Sequence, residues 1–418
     1  MEADVGKGGG NGLDKGPLDR IRVLELGNYI AAPTAGRLLA DFGAEVIKVE
    51  RPVTGDELRT WRLYSGTTSM LFRTINRNKK SVVIDLSSEY GQARVRELAR
   101  GCDIVLENFR PGTVERWGIG PAELCAQNPD LIFVRVSAYG QTGPRRHEPG
   151  FAAVAEAMAG LRALTGEPDR PPARTGVSIG DSIAGIYAAF GALVAVHRRQ
   201  KDRVAGRLTS IADRTVDVAL TEAVFSVMES LVPEYDAYQV TRTRTGGRME
   251  GIAPSNAYRC ADDRWLVIAG NGDGIYRRLM NVIGRPDLAE SPRLANNAQR
   301  WQARDELDEA ISAWTATRTA REALSALGAA AVPAGPINTA ADIKADEQFR
   351  ARGMIQHLPV STGTEVLPAV AFPGIVPRIG DHAAAIRSLG PDLGEHTEEI
   401  LGALPPDIRT LDIKEAVR

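Results

Sequence analysis

A carboxylate at the start of a long apolar segment is the feature of this sequence that most suggests chemistry. Asp181 stands between Gly180 and Ser182, and the small and apolar residues that follow predict a helix over residues 182–199. An aspartate there is typical of an N-cap, because its side chain accepts a backbone N–H that the first turn leaves unpaired. The helix dipole also favours the ionised form, which is the form that acts as a nucleophile. The residues alone leave both interpretations open.

Two arginines and a pair of glycines admit either a structural role or a ligand-binding role. Arg51 follows a predicted strand and Arg116 lies further along the same part of the chain. Each is a surface arginine unless it meets a phosphate or a planar base, both of which suit a guanidinium. Gly246 and Gly247 lie in the basic, aperiodic segment 240–251. They indicate a flexible turn, or a place where backbone N–H groups approach a ligand without a side chain in the way.

The charge balance limits the classes of partner. The 418 residues include 51 Lys and Arg against 53 Asp and Glu, which gives a formal net charge of −2. A protein that coats nucleic acid or an anionic membrane normally carries a basic excess, so we expect neither as a partner. The longest apolar run, residues 183–196, is shorter than the roughly 20 residues that span a bilayer, and it predicts a buried core helix.

Missing motifs exclude several kinds of site. Gly27 ends the first predicted strand, but the G-x-G-x-x-G of a dinucleotide-binding turn is absent, as are the phosphate-binding G-x-x-x-x-G-K-[ST] loop and the G-x-S-x-G elbow. The five histidines lack the spacing of metal ligands, so we expect no metal. Three widely spaced cysteines fit a reducing compartment, and the glycine-rich start has no apolar signal-peptide core. We therefore expect a cytoplasmic protein, or a mitochondrial-matrix one in a eukaryote.

Short apolar strands alternate with helices through the first third of the chain. This alternation predicts an α/β fold with a parallel sheet, followed by a smaller α+β domain. Ligands of open parallel sheets bind beyond the carboxyl ends of the strands, so we expect the site just after those ends. The predicted strands cover residues 21–27, 45–50, 81–86, 103–109 and 131–137.

An ordered set of motifs resembles the class III CoA-transferases, the CaiB/BaiF family that includes formyl-CoA transferase and the carnitine CoA-transferases. The resemblance covers nearly all of residues 17–402, and the order of the motifs makes it specific. The motifs are VLELGNYIAAPTAGRLLADFGAEVIKVERPVTGD, NKKSVVIDLSSEYG, DIVLENFRPGTVERWG, VSAYGQTGP, GVSIGDSIAGIYAAFGALVA, PAGPINTAADI and LGEHTEEIL.

The resemblance implies a role for individual residues. Asp181 of the G-D motif corresponds to the family's nucleophile, and the backbone N–H groups of Gly246 and Gly247 would stabilise an oxyanion in a loop that closes over it. The side chains and backbone that would hold CoA come from the strand-end motifs. They are Arg51, Ile84, Leu86, Asn108, Phe109, Arg116 and Tyr139.

The resemblance also implies the domain organisation. We expect a Rossmann-like large domain and ring-like subunits that thread through each other in an interlaced homodimer. The predicted segments are a flexible tail (1–16), the first part of the large CoA-binding domain (17–220), a linker with the glycine-containing loop (221–252), the small domain (253–338) and a return segment that completes the large domain (339–418).

The activity that the resemblance implies is CoA transfer from an acyl-CoA donor to a carboxylic acid through an aspartyl-CoA thioester, with CoA as substrate and no tightly bound cofactor. The sequence GVSIGDS after Arg174 looks most like members that use succinyl-CoA and a dicarboxylic acceptor such as itaconate, citramalate or a glutarate. Ile30 and Ser137 depart from the formyl-CoA branch, which argues against formyl or oxalate substrates.

Two alternatives have the same fold. One is an acyl-CoA racemase or isomerase, but that branch carries Gly-His-Asp where this chain has Gly150-Phe151-Ala152, and without the histidine one proton-transfer group is missing. The other is a non-catalytic CoA-binding protein, which would be indifferent to Asp181→Ala.

Overall fold

The computed structural model of the chain describes residues 16–66, 68–207, 209–380 and 384–404. All of the predicted tail except Gly16 lies outside these ranges, as do the last residues of the predicted return segment. The described residues form two compact units. The first contains residues 16–159, Val177–Met228 and residues 347–404, and the second contains Gly160–Gly176 and Glu229–Asp346.

The first unit is built on a parallel sheet of six strands. The strand order is β5-β2-β1-β6-β7-β8, and each neighbouring pair runs parallel. The strands of the unit's first two segments are β1 (Arg22–Glu25), β2 (Glu45–Glu50), the short hairpin β3 (Tyr64–Ser65) and β4 (Thr68–Ser69), β5 (Lys79–Val83), β6 (Ile104–Glu107), β7 (Ile132–Ser137) and β8 (Thr215–Ala219).

Helices cover both faces of this sheet. They are α1 (Ala31–Asp41), α2 (Met70–Ile75), α3 (Glu89–Arg100), α4 (Thr113–Arg116), α5 (Pro121–Gln127), α6 (Ala152–Met158), α7 (Ile179–Val204) and α8 (Leu220–Phe225), with 3₁₀ turns at Glu57–Thr60 and Ala212–Arg214. Successive strand residues point to opposite faces, so Val23 packs in one core with α1 and α7, and Leu24 in the other with α3 and α5. The predicted α/β fold with a parallel sheet is confirmed.

The second unit is a small α+β structure. Its sheet is antiparallel with the order β11-β10-β9, and Tyr258 and Leu266 anchor its own core. The elements are α9 (Leu231–Tyr238), β9 (Ser255–Arg259), β10 (Trp265–Ala269), α10 (Asp273–Val282), α11 (Pro286–Ala289), α12 (Asn297–Gln302), α13 (Arg304–Thr315), α14 (Ala320–Ala329), β11 (Ala334–Pro336) and α15 (Ala340–Ala345), with 3₁₀ turns at Leu161–Leu164 and Pro292–Leu294.

The chain then returns to the first unit. The return segment contains α16 (Glu347–Ala351), an antiparallel hairpin of β12 (Ile355–Ser361) and β13 (Val366–Pro373), and α17 (Thr397–Gly402). Ile400 of α17 packs in the same core as α3. The observed division differs from the predicted segments at three places: residues 160–176 and 339–346 belong to the second unit, and residues 221–228 belong to the first.

Candidate active site

Asp181 lies in the first turn of α7, not at its N-cap. The helix begins at Ile179, with Ser178 as the N-cap residue, three residues before the predicted start. The N-cap interpretation of Asp181 is therefore wrong. Gly180 lies within the helix, and a Cβ atom there would lie 3.3 Å from three neighbouring side chains, so glycine suits the close packing at this position. The carboxylate of Asp181 is half-buried and still lies in the positive end of the helix dipole.

A close contact between α7 and α1 places Asp181 at the carboxyl edge of the sheet. A Cβ atom built on Gly185 would lie 2.7 Å from the carbonyl oxygen of Ala31, the first residue of α1. Since α1 follows directly from β1, this contact fixes the start of α7 beside the end of β1. Asp181 precedes Gly185 by about one helical turn, or roughly 6 Å along the axis. It therefore lies at the edge where the predicted CoA-binding residues follow their strands.

A second carboxyl group, which the motifs did not single out, lies beside the start of α7. Glu156 of α6 is only 1% exposed, and its Oε1 accepts the backbone N–H of Gly180 at 3.4 Å. A Cβ atom on Gly180 would lie 3.3 Å from Cγ of Glu156 and from Cβ of Ala152. The only sequence signal was a glutamate on the apolar face of an alanine-rich helix.

The predicted CoA-binding residues follow four strands of one sheet, but their side chains have different surroundings. Arg51 is half exposed; its Nε donates to the carbonyl oxygen of Gly55 at 2.9 Å and its guanidinium pairs with Glu57. Ile84, after β5, is buried in the apolar core, and Leu86 packs against the same core. Of these residues, Arg51 presents the charged group that suits a phosphate.

The end of β6 is held to the end of β1 by an amide side chain. Asn108 accepts the backbone N–H of Asn28 at 2.9 Å and donates to the carbonyl oxygen of the same residue at 2.7 Å. Phe109 packs edge-on against Trp117 with ring centroids 5.1 Å apart. Arg116 is exposed and donates to the hydroxyl of Thr113 at 3.1 Å. Asn108 therefore shapes the edge, while Arg116 is open to solvent.

The carboxyl end of β6 also carries a buried acid. Glu107 is fully buried; it accepts the N–H of Phe109 at 2.7 Å and pairs with Arg135 at 2.7 Å. Burial raises the pKa of Glu107 to about 7, although Arg135 opposes the shift. This buried acid lies one residue from the predicted CoA-binding Asn108.

Three aromatic rings meet at the same edge. Tyr29, which follows β1 with a φ of 63°, packs against Trp61 at 5.4 Å and against Phe151 at 5.9 Å between ring centroids. Phe151 is 63% exposed and is the N-cap residue of α6, the helix that carries Glu156. Tyr139 is half-buried after β7. The edge thus offers an exposed apolar surface beside the start of α6.

Buried ion pairs lie beneath the loops of this edge. Nζ of Lys48 lies 2.8 Å from Asp56 and 3.3 Å from Glu25, and Nζ of Lys79 lies 2.8 Å from Glu25. Asp56 also accepts the N–H of Tyr29 at 3.2 Å. Burial alone would lower the pKa of Lys48, but the charges of Asp56 and Glu25 raise it. Burial and the charge of Lys48 lower the pKa of Lys79 to about 8.

Gly246 and Gly247 lie in the second unit. The N–H of Gly246 donates to the carbonyl oxygen of Gly166 at 3.1 Å, and Arg248 pairs with Asp308 at 2.7 Å. Their segment is thus fixed from both sides within its own unit. Within the described ranges, no group of three or more His, Cys, Asp or Glu residues is placed to hold a metal ion.

Comparison with known proteins gives a consistent set of relatives. The model of CoA-transferase family III matches residues 18–397. The chain is 45% identical over 407 residues to succinyl-CoA–D-citramalate CoA-transferase of Chloroflexus aurantiacus, an alignment that covers 96% of this chain and 98% of that protein. It is 37% identical over 409 residues to the alpha subunit of succinyl-CoA–L-malate CoA-transferase of Chloroflexus aurantiacus, covering 97% of this chain and 92% of that one.

A solved structure shares the fold. The crystal structure of a CAIB/BAIF family protein from Brucella suis matches with a TM-score of 0.79 at 32% sequence identity, and the match covers 93% of this chain and 100% of that chain.

Proposed function

Because the chain belongs to CoA-transferase family III, we propose that it moves CoA from succinyl-CoA to a hydroxylated dicarboxylic acid through a thioester on Asp181. The observation that carries the proposal is the position of Asp181 in the first turn of α7, at the carboxyl edge of the sheet. The two similar transferases named above use succinyl-CoA, and their acceptors are citramalate and malate. Both acceptors are dicarboxylates with a hydroxyl group, which defines the acceptor class proposed here.

The proposed reaction begins with attack of Asp181 on the thioester carbonyl of the donor. The carbon–sulfur bond breaks, leaving a mixed anhydride and a CoA thiolate. The thiolate then attacks the aspartyl carbonyl, which forms the aspartyl-CoA thioester and releases succinate. Attack by the acceptor carboxylate forms a second anhydride and frees the thiolate again. The thiolate takes the acceptor acyl group and restores Asp181, so the thioester bond is conserved overall and no ATP is consumed.

The surroundings of Asp181 support the first step. The dipole of α7 favours the ionised carboxylate, which is the nucleophilic form. The exposed guanidinium of Arg51 and that of Arg116 suit the phosphates of CoA, and the role of Gly246 and Gly247 as oxyanion donors stays a prediction. Phe151 has no ring nitrogen to carry a proton, so the edge favours acyl transfer over racemisation.

Covalent labelling tests the proposed function. We expect the peptide that contains Asp181 to be modified when the protein is incubated with succinyl-CoA and trapped with hydroxylamine, as read by mass spectrometry. Asp181→Ala should lose transfer to citramalate or malate by on the order of 10³-fold or more. Asp202→Ala is the matched control, because Asp202 lies on the same helix but pairs with Arg198 at its other end. Full transfer with an unmodified Asp181 peptide would contradict the covalent route.

A further inference from the structure

The first turn of α7 is capped from another helix. The first N–H groups of an α-helix have no partner inside the helix, and a serine at the N-cap usually supplies one through its side chain. Ser178 occupies the N-cap position of α7 but makes no such bond. The N–H of Gly180 instead donates to the carboxyl group of Glu156 on α6. The residue next to the proposed nucleophile is therefore held by a side chain 24 positions earlier in the chain.

The first turn of α7 packs closely against α6 and α8. Glu156 is 1% exposed. A Cβ atom built on Gly180 would lie 3.3 Å from Ala152 and Glu156 on α6 and from Val224 on α8, which is tighter than ordinary van der Waals contact. Ala152 and Ala155 pack the rest of α6 into the interior. Rotation of the first turn of α7 would break the hydrogen bond and this packing together.

We propose that Glu156 is a positioning residue for Asp181: by accepting the N–H of Gly180, it fixes the first turn of α7 and with it the carboxylate that attacks the thioester. The proposal rests on the proposed function. Glu156 acts through the backbone and forms no bond to substrate. Its role needs a hydrogen-bond acceptor at Oε1, which a glutamine also provides.

Two variants of Glu156 and one control separate positioning from stability. Glu156→Ala should lower kcat at least tenfold, leave the KM for succinyl-CoA within twofold, and slow formation of the Asp181 adduct by the same factor as kcat. Glu156→Gln should keep kcat within threefold, because its amide oxygen can accept the same N–H. Leu124→Ala, which truncates a fully buried side chain in the core on the other face of the sheet, should lower the melting temperature but leave kcat at 25 °C unchanged.

The outcomes distinguish this inference from the proposed function. Unchanged kcat in Glu156→Ala, equal losses in Glu156→Ala and Glu156→Gln, or a loss in Leu124→Ala as large as that in Glu156→Ala would each overturn the positioning role. None of these results would affect the labelling of Asp181 in the unaltered protein. Transfer without any labelling of Asp181 in the unaltered protein would instead contradict the proposed function itself.

Discussion

At the scale of single residues, two lysines share one carboxylate beneath the carboxyl edge of the sheet. Lys48 and Lys79 both contact Glu25, and all three side chains are fully buried. Lys48 has a second acidic partner in Asp56, so it keeps its proton more firmly. Burial and the neighbouring charge of Lys48 leave Lys79 as the lysine that is deprotonated first, with a pKa of about 8.

This shift predicts a pH dependence of stability. Because the pKa of Lys79 is about 8 in the folded chain against the ordinary lysine value of 10.5, the unfolded chain binds more protons than the folded chain between these values. The Lys79 contribution to the free energy of unfolding should therefore rise with pH from 8 to 10.5, by at most about 1.4 kcal/mol per pH unit. Urea unfolding of the unaltered protein and of Lys79→Met across this range measures it. A difference between the two that is flat or falls with pH would contradict the assignment.

Some residues of the candidate site could be predicted from the sequence, and others could not. Asp181 and Arg51 were visible because each follows or opens an apolar element, which fixes its place at one end of that element. The role of Glu156 could not be predicted. The sequence shows a glutamate on a buried helix face, but its partner Gly180 is determined by tertiary packing. Ile84 shows the same limit, because the sequence did not reveal that its side chain is buried in the apolar core.

At the scale of elements, α13 anchors the segment that contains the glycine pair. Asp308 accepts hydrogen bonds from Arg248 at 2.7 Å, from Asn256 at 2.8 Å and from the hydroxyl of Tyr258 at 2.5 Å. Burial and the charge of Asp308 raise the pKa of Tyr258, so the hydroxyl keeps its proton and remains a donor. One carboxylate thus joins α13, β9 and the residue that follows Gly247.

Loss of the charge at Asp308 should loosen this segment. Asp308→Asn replaces one acceptor oxygen by an NH₂ group that faces donors, so we expect a loss of about 1–3 kcal/mol in the free energy of unfolding and faster amide hydrogen exchange over residues 245–250. Asp305→Asn is the control: Asp305 pairs with the same Arg248 at 2.8 Å but is 71% exposed, and an exposed pair contributes little. Equal exchange rates in both variants would show that Asp308 is not the anchor.

Local sequence patterns were not sufficient to predict the boundaries of every element and unit. The helix predicted over residues 182–199 extends over Ile179–Val204. Gly180 suggests a helix break in the sequence, but in the structure it lies within the helix, where it allows close packing. The five predicted parallel strands lie within three residues of the observed β1, β2, β5, β6 and β7, since each is a short apolar run ended by a turn, whereas β8 was not among them. Residues 160–176 were not assigned to the second unit, because bonds such as Arg244 to the carbonyl of Glu167, 77 positions apart, leave no local signal.

At the scale of the whole molecule, α7 shows an apolar face that the described residues leave exposed. By length and composition the helix could cross a membrane, but 44% of its most apolar 18-residue stretch is buried by the described residues. On the opposite face Ile186, Phe190 and Val194 are 56%, 63% and 51% exposed, and their spacing of four residues places them on one side. Exposed apolar surfaces of this kind mark interaction sites, and the predicted interlaced homodimer provides a second copy as the partner.

A threaded dimer makes a prediction that an ordinary dimer does not. Rings that pass through each other cannot separate without unfolding, so tagged and untagged dimers mixed under native conditions should form no mixed dimers, whereas unfolding and refolding the mixture should produce them. Affinity capture followed by mass spectrometry measures the exchange.

Phe190→Asp should prevent assembly of a soluble dimer, because it buries a charge in the interface. Val204→Asp, at a 92% exposed position at the end of the same helix, should not. Rapid exchange on mixing would contradict threading, and a monomeric unaltered protein would contradict the dimer altogether.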